Sequence, residues 1–428
     1  MFDKALFNTV MLKKLSTSLV VIASLLIVQA PFADNAMAAA AKGEEKKRPT
    51  QLVGPSVGKK VGKAFEAYTA DDIDGAIVIL KDINAKKDYD KAYVARFIAV
   101  MYATKGDEKE AISYLNIAIA PDILNEGDHG DALKLLGDLQ MQTKDYKGAL
   151  DNYYAWMKFT GKDDGNTWVK IAQANYELKQ LDKMIAPADK AIAAFGDKPN
   201  QNPYVLKLTS YYERKKYKEA IDVLETVILI FPENKTWWTQ LPMFYLLVEN
   251  YPKAVQTLDL AYKQGFLDKE SQIKTLASLY SSSEAPFKAA RLLEKHIASG
   301  LVKRDDKNIS TLANAWHAAQ HVGTAAKYYG ELAKMTNAAK HYRKQGMLLK
   351  QDEQFSKAII ALEKSLELGV ENKGRIYMSI AESYFYLEKY KQANVAINKA
   401  MEDPKSRKAA KGWKGFIVDT ARRKNVAI

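Results

Sequence analysis

Apolar residues fall at i, i+3, i+4 and i+7 through one segment of this chain after another, the spacing of a single helix face. The segments come in pairs around a short polar turn. "QMQTKDYKGAL" (Gln140 to Leu150), "YYERKKYKEAI" (Tyr211 to Ile221), "YLLVENYPKAV" (Tyr245 to Val255) and "YFYLEKYKQAN" (Tyr384 to Asn394) share that plan. All but the first run from one aromatic across the turn to a second, and all four then have an aromatic, two residues and alanine. Followed along the chain, the alanine position is Ala76, Ala111, Ala149, Met184, Ala220, Ala254, Ala289, Ala325, Ala358 and Ala393, at steps of 33 to 38 residues. Met184 changes the residue type and keeps the spacing. Ten units in phase make a repeat, and a repeat takes precedence over any local motif.

Twelve residues before the marker, most units have another small residue: Ala64, Ala99, Gly137, Ala172, Ala277, Ala313, Gly346 and Ala381. A large aliphatic residue usually precedes it, as in Leu136, Ile171, Leu276, Leu312 and Ile380. An aromatic often follows three residues later, as in Tyr102, Tyr280, Trp316 and Tyr384. The marker opens a second apolar face, continued by Leu224 and Val227 or by Ile397 and Ala400. Small residues let two helices of a unit approach closely while large ones fill the space between units. Prolines such as Pro232 and Pro404 stop the second helix.

This pattern resembles the tetratricopeptide repeat (TPR), a 34-residue helix–turn–helix. "WTQLPMFY" (Trp238 to Tyr245) and "LLGDLQ" (Leu135 to Gln140) carry its Trp, Leu, Gly and Tyr positions, and Pro242 and Met184 depart from it. The resemblance implies an all-α fold, a right-handed superhelical solenoid of about ten TPR units with a C-terminal capping helix. It covers residues 57–404. Residues 405–428 are then a basic cap and tail, in which Trp413, Phe416 and Ile417 cover the last repeat.

Charge changes the picture at the ends only. The net charge of +13 divides into +5 over residues 39–63 and +7 over residues 405–428, with +1 over residues 1–38 and none in between. A nucleic-acid groove needs a basic stripe on the folded body, so nucleic acid is not an expected partner. Basic ends suit an anionic membrane surface or an acidic partner, or act as solubilising tails. Residues 1–38 read as a secretory signal: Lys13 and Lys14, the apolar run Leu19 to Val28, and Ala36-Met37-Ala38 as the cleavage site, with Met11 as an alternative start to Met1. Residues 39–56 are then a basic extended arm, and a periplasmic location follows. The chain has no cysteine, which excludes disulfides, thiolate metal sites, a catalytic thiol and an acylated lipoprotein anchor.

Candidate chemistry is sparse. Gly54-Pro-Ser-Val-Gly58 fits G-x-S-x-G, yet a nucleophile elbow needs a strand before the serine and a parallel sheet around it. The same glycines enclose three residues where a phosphate loop needs four. Ser56 is therefore read as part of the arm leading into the first helix. His317 and His321 have the i, i+4 spacing of two metal ligands, but no zinc-protease glutamate or nearby third ligand accompanies them. A surface pair is the plainer reading. No catalytic constellation stands out, and no cofactor is implied.

A solenoid of this type presents the first helix of each unit on a concave surface. Positions eleven and eight before the marker should face it: Gln173 and Tyr176, Thr209 and Tyr212, Met243 and Leu246, Ser278 and Ser281, Asn314 and His317, Met347 and Lys350, Glu382 and Phe385. Its middle section reads as aromatic, apolar and uncharged, suited to a peptide, and it turns basic at Lys340, Arg343, Lys344 and Lys350. Some TPR proteins grip a peptide carboxylate, and Asn314, Arg343 and Lys350 could imitate that clamp without reproducing its positions. The plainer reading is that several of these residues merely support neighbouring helices.

"RPTQLVGPSVGKK", "AYVARFIAVMYATKG", "NTWVKIAQANYELKQLDKMIAPADKAI" and "FPENKTWWTQL" also resemble periplasmic repeat proteins associated with TonB–ExbB–ExbD systems of γ-proteobacteria. That resemblance implies a non-enzymatic accessory in TonB-dependent uptake of iron complexes or other nutrients, with TonB, ExbB or ExbD as partners. A scaffold for outer-membrane or peptidoglycan assembly, or a metal carrier using His317 and His321, are the alternatives.

Overall fold

The computed structural model describes residues 48–428. The expected signal segment, 1–38, and the first half of the basic arm, 39–47, lie outside that range. The described residues fold as helices and connecting turns, with no strand among them. They belong to two compact halves, divided after Ile230, and each half is a run of five helical hairpins.

In the N-terminal half the hairpins are α1 (Pro55–Thr69) with α2 (Ile73–Lys81), α3 (Asp88–Lys105) with α4 (Glu108–Ile119), and α5 (Glu126–Gln142) with α6 (Tyr146–Thr160). They continue with α7 (Gly165–Glu177) and α8 (Ile185–Phe195), then α9 (Gln201–Glu213) and α10 (Tyr217–Ile230). The C-terminal half holds α11 (Lys235–Leu247) with α12 (Tyr251–Lys263), α13 (Glu270–Ser282) with α14 (Pro286–Ala298), and α15 (Asp306–Ala318) with α16 (Val322–Thr336). It ends with α17 (Ala339–Gln351) and α18 (Phe355–Glu367), α19 (Lys373–Tyr386) and α20 (Tyr390–Glu402), and the cap α21 (Arg407–Arg423).

The marker register explains this packing. All ten marker residues, Met184 included, are fully buried at 0% exposure. Each sits where the second helix packs on the first, and in eight of the ten hairpins the residue twelve positions earlier is small, Leu208 and Pro242 being the exceptions. The approach is close enough that an added Cβ at Gly346 would come within 2.6 Å of Leu362 Cγ. In the fourth hairpin a 3-10 turn, Leu181–Met184, comes before α8, and the longer Met184 side chain fills the place alanine takes elsewhere.

One turn closes every hairpin. Five residues before each marker the backbone is left-handed: Asp71, Gly106, Lys144, Lys179, Lys215, Glu249, Glu284, Gln320, Glu353 and Glu388 all have positive φ. In nine hairpins the next N–H bonds back across the turn, as Asn250 N does to Tyr245 O at 2.8 Å and Lys389 N to Tyr384 O at 2.9 Å. This 6→1 bond is the helix-ending geometry of a Schellman motif. The same residue then starts the second helix. Asp72, Asp107, Asp145 and Asn250 accept from backbone N–H groups three residues on and satisfy donors the helix leaves open.

Before α1, the residues from Arg48 run along the loop between α4 and α5. Arg48 donates to the carbonyls of Asp122 at 2.8 Å and Leu124 at 3.2 Å, pairs with the Asp122 carboxylate at 2.5 Å, and stacks 4.6 Å from the Phe159 ring. Gln51 N donates to Asn125 Oδ1, and Asn125 Nδ2 donates back to Gln51 O. Gly54 N donates to Asp90 Oδ1. The end of the arm is thus docked on the second and third hairpins.

Candidate functional site

Ser56 belongs to a helix. Gly54 is the N-cap of α1, Pro55 takes its first position, and Ser56 is exposed in its first turn. Pro at that position suits a helix start because the N–H it lacks would have no partner there. The G-x-S-x-G match therefore has no strand, no elbow and no sheet behind it.

The histidine pair is not assembled as a ligand set. His321 is the N-cap residue of α16, and its ring lies 5.2 Å from both Phe287 and Trp316. His317 is half-buried on α15, and burial followed by the nearby Lys344 holds its imidazole below its ordinary value. Among the described residues no group of three or more His, Asp or Glu side chains is placed to hold a metal ion.

The predicted binding face depends on local packing. Gln173 and Tyr212 are half-buried, whereas Tyr176 is 9% exposed and Thr209 only 2%. The Thr209 hydroxyl donates to Val205 O within its own helix. Both residues are core here, for a specific reason. The 3-10 turn draws α9 toward α7, with Ser210 Oγ donating to Leu181 O at 2.5 Å, so the facing side of these two helices is covered. Tyr176 and Thr209 therefore do not present a binding surface.

In the C-terminal half the same register leaves side chains accessible. Met243 and Leu246 of α11 are half-buried, Ser278 and Ser281 of α13 are exposed, and Met347 of α17 is 40% exposed. Helices α17 and α19 lie against each other and carry Arg343, Met347, Lys350, Glu382 and Phe385, while Asn314 and His317 stand at the same register positions of α15. Met347 Sδ accepts from Ser379 Oγ at 3.4 Å, fixing α17 against α19. The Lys350 amine is bonded to the Glu382 carboxylate, with both side chains mostly buried. The expected basic character is therefore reduced at Lys350 and kept at Arg343, which is exposed and has no ion pair among the described residues. Asn314 is exposed, with its side-chain oxygen taken by the Tyr329 hydroxyl. Lys344 Nζ lies 5.9 Å from the Tyr329 ring. A clamp of Asn314, Arg343 and Lys350 is not present as three free groups.

Tyr329 was not among the predicted residues, and a pattern would have found it. It lies four residues after its marker and bonds to the residue eleven before that marker. Tyr153 does the same in the third hairpin, donating to Asp138 Oδ1 at 2.6 Å. An aromatic hydroxyl fifteen residues after Asn or Asp is the sequence sign of this tie.

No family model matches this chain, and no curated protein matches it. Among solved structures, it is similar to a Naa15/Naa10 complex bound to HypK-THB, with a TM-score of 0.43, 14% identity, and coverage of 82% of this chain and 64% of that one. The chain thus spans less than two thirds of that protein's length. A tetratricopeptide repeat protein from Parabacteroides merdae aligns with a TM-score of 0.33 and 14% identity over 59% of this chain and 98% of that one. The C-terminal part of a TPR repeat-containing protein from Cytophaga hutchinsonii aligns with a TM-score of 0.35 and 14% identity over 64% and 96%. What the described residues display by their own geometry is an all-α helical repeat of ten hairpins and a cap.

Proposed function

We propose that this chain is a non-enzymatic, protein-binding scaffold of TPR type. It acts in the periplasm as an accessory of a TonB–ExbB–ExbD complex and supports uptake of iron complexes or other nutrients. The observation that carries the scaffold reading is the first-helix face of the C-terminal half. There Met243 and Leu246 of α11 and Met347 of α17 expose apolar surface, Met347 one helical turn from the cation of Arg343, on helices whose own cores are already filled. Apolar anchors flanked by an unpaired guanidinium suit a peptide or helix with an acidic group next to its apolar residues. The choice of partner and compartment rests on the sequence resemblance and the signal-like leader.

The test is crosslinking in intact cells with the tagged mature protein, its captured partners identified by mass spectrometry. Leu246→Glu with Met347→Glu is the control, since both side chains are accessible and the fold should tolerate them. Capture of TonB, ExbB or ExbD by the parent and its loss in the double variant is the expected result. Capture of outer-membrane or peptidoglycan assembly proteins alone would move the scaffold to a different machine. Unchanged capture by the double variant would place the binding surface elsewhere.

A further inference from the structure

The cap helix has a second side. Ala410, Ile417 and Ala421 of α21 are fully buried, and Trp413 packs with them over the core of the last repeat. Sealing the array requires that face alone. On the other side Lys408, Gly412, Gly415, Asp419 and Arg422 recur at steps of three and four residues, with Lys411 beside them, and all six are exposed. Residues at that spacing share one helix face.

Two features of this outer face have no role in the fold, and an aromatic stands at its margin. Lys408 and Lys411 of this face have no acidic partner among the described residues, as is true of Lys405 just before the helix and of the half-buried Lys414 on its flank, whereas Arg422 pairs with Asp419. Gly412 and Gly415 have nothing within 4 Å of where a Cβ would stand, so neither serves close packing, and glycine is a poor helix former. At the edge of the strip Phe416 is 50% exposed, with its inner side against Phe385 at 5.0 Å. The outer face is a cationic strip, crossed near its end by the Asp419–Arg422 pair, with an aromatic at its margin.

We propose that this face docks on the surface of an anionic phospholipid bilayer. Charge complementarity selects the occupant. Residues 405–428 carry eight basic side chains and one acidic one, and clustered Lys and Arg are attracted by the negative potential of such a surface. A protein partner would meet its carboxylates with placed donors, whereas these amines are spread over a helix of about 25 Å and smoothed between by glycine. Phe416 supplies a shallow interfacial anchor, and the buried face of α21 remains in the core. Among the described residues no helix is long and apolar enough to cross a membrane, so the attachment is peripheral and reversible.

The experiment is co-sedimentation of the mature chain with vesicles of phosphatidylglycerol mixed into phosphatidylcholine, and with phosphatidylcholine alone, at low and high salt. The expected result is binding to the anionic vesicles only, released by salt. Lys408→Gln with Lys411→Gln should weaken it on the order of 30-fold, and Lys408→Arg with Lys411→Arg should restore it. Phe416→Ser should weaken it without changing the salt dependence. Thermal melts of each variant establish that the cap is still folded. Equal binding to uncharged vesicles, no binding to anionic ones, or binding unaffected by the Lys→Gln pair would each overturn the proposal. The last outcome would shift the contact to the basic residues near the N-terminus, and capture of an acidic peptide with no vesicle binding would replace the lipid by a protein.

Discussion

The ring of Tyr153 occupies the space in which a side chain at Gly137 would stand: a Cβ there would lie 2.8 Å from Tyr153 Cε1. The two residues set how close α5 and α6 come, and the Tyr153 hydroxyl then reaches Asp138, which also accepts from Lys170 of α7. Gly137→Val should overpack this crossing and lower stability by about 1–3 kcal/mol. Urea denaturation measures it, and an unchanged midpoint would mean that the two helices separate freely.

The marker position makes opposite demands in two hairpins. Ala220 is fully enclosed, so Ala220→Leu should cost about 1–3 kcal/mol by overpacking. Met184 is equally enclosed, so Met184→Ala should cost about 2–5 kcal/mol through the cavity it leaves. Thermal melts of both variants check the pair. A neutral Met184→Ala would mean that the 3-10 turn collapses onto the smaller side chain.

Acid should weaken the fold before the carboxylates titrate. His129 is buried against the Phe159 ring. Its Nε2 lies 3.3 Å from Asp122, its Nδ1 has no hydrogen-bond partner, and Arg48 is close by. Burial is the main cause that holds its imidazole below the ordinary value, Asp122 opposes the shift and Arg48 adds to it. An unfolded histidine titrates near ~6.5, so between that value and the lower folded one the unfolded chain binds more protons. The stability is fully present above about pH 6.5 and is lost as pH falls through the folded value. His129→Gln should therefore show a smaller fall in Tm between about pH 7.5 and 5.5 than the parent. Superimposable pH profiles would assign the acid sensitivity to His296, His317 and His341, which burial shifts in the same direction.

The left-handed turns store strain that glycine would release. Glu249 has φ +58 at the turn between α11 and α12, a conformation that disfavours a residue with a Cβ. Glu249→Gly should raise stability by roughly 0.5–1 kcal/mol, the relief of strain less the extra freedom of the unfolded chain. A lower Tm would show that the Glu249 side chain contributes more than its backbone costs.

The ten hairpins were legible because the small residues that permit close crossing recur in one register, and burial at Ala76 through Ala393 follows it throughout. The binding face was less legible. Counting eleven and eight residues back treats every first helix alike, yet the late start of α8 brings α9 onto α7 and buries Tyr176 and Thr209. Pairing across repeats is likewise invisible to a count within one repeat. Lys350 meets Glu382 only because α19 lies beside α17. Docking of Arg48 on Asp122 joins residues 74 apart, and no local pattern announces it.

The hairpin turns have one further consequence. Their shape is written in the backbone, so the exposed side chain at the left-handed position is not committed to making the turn. That slot holds Asp71, Gly106, Lys144, Lys179 and Lys215 in the N-terminal half and Glu249, Glu284, Gln320, Glu353 and Glu388 in the C-terminal half. One mould thus takes an acid, a glycine, lysines and glutamates in turn, lysine in the three hairpins before residue 230 and glutamate in most of those after it, while the body from 64 to 404 stays neutral as a whole. Form and polarity are inherited separately here, and the polarity of either half could be rewritten turn by turn with its architecture left as it stands.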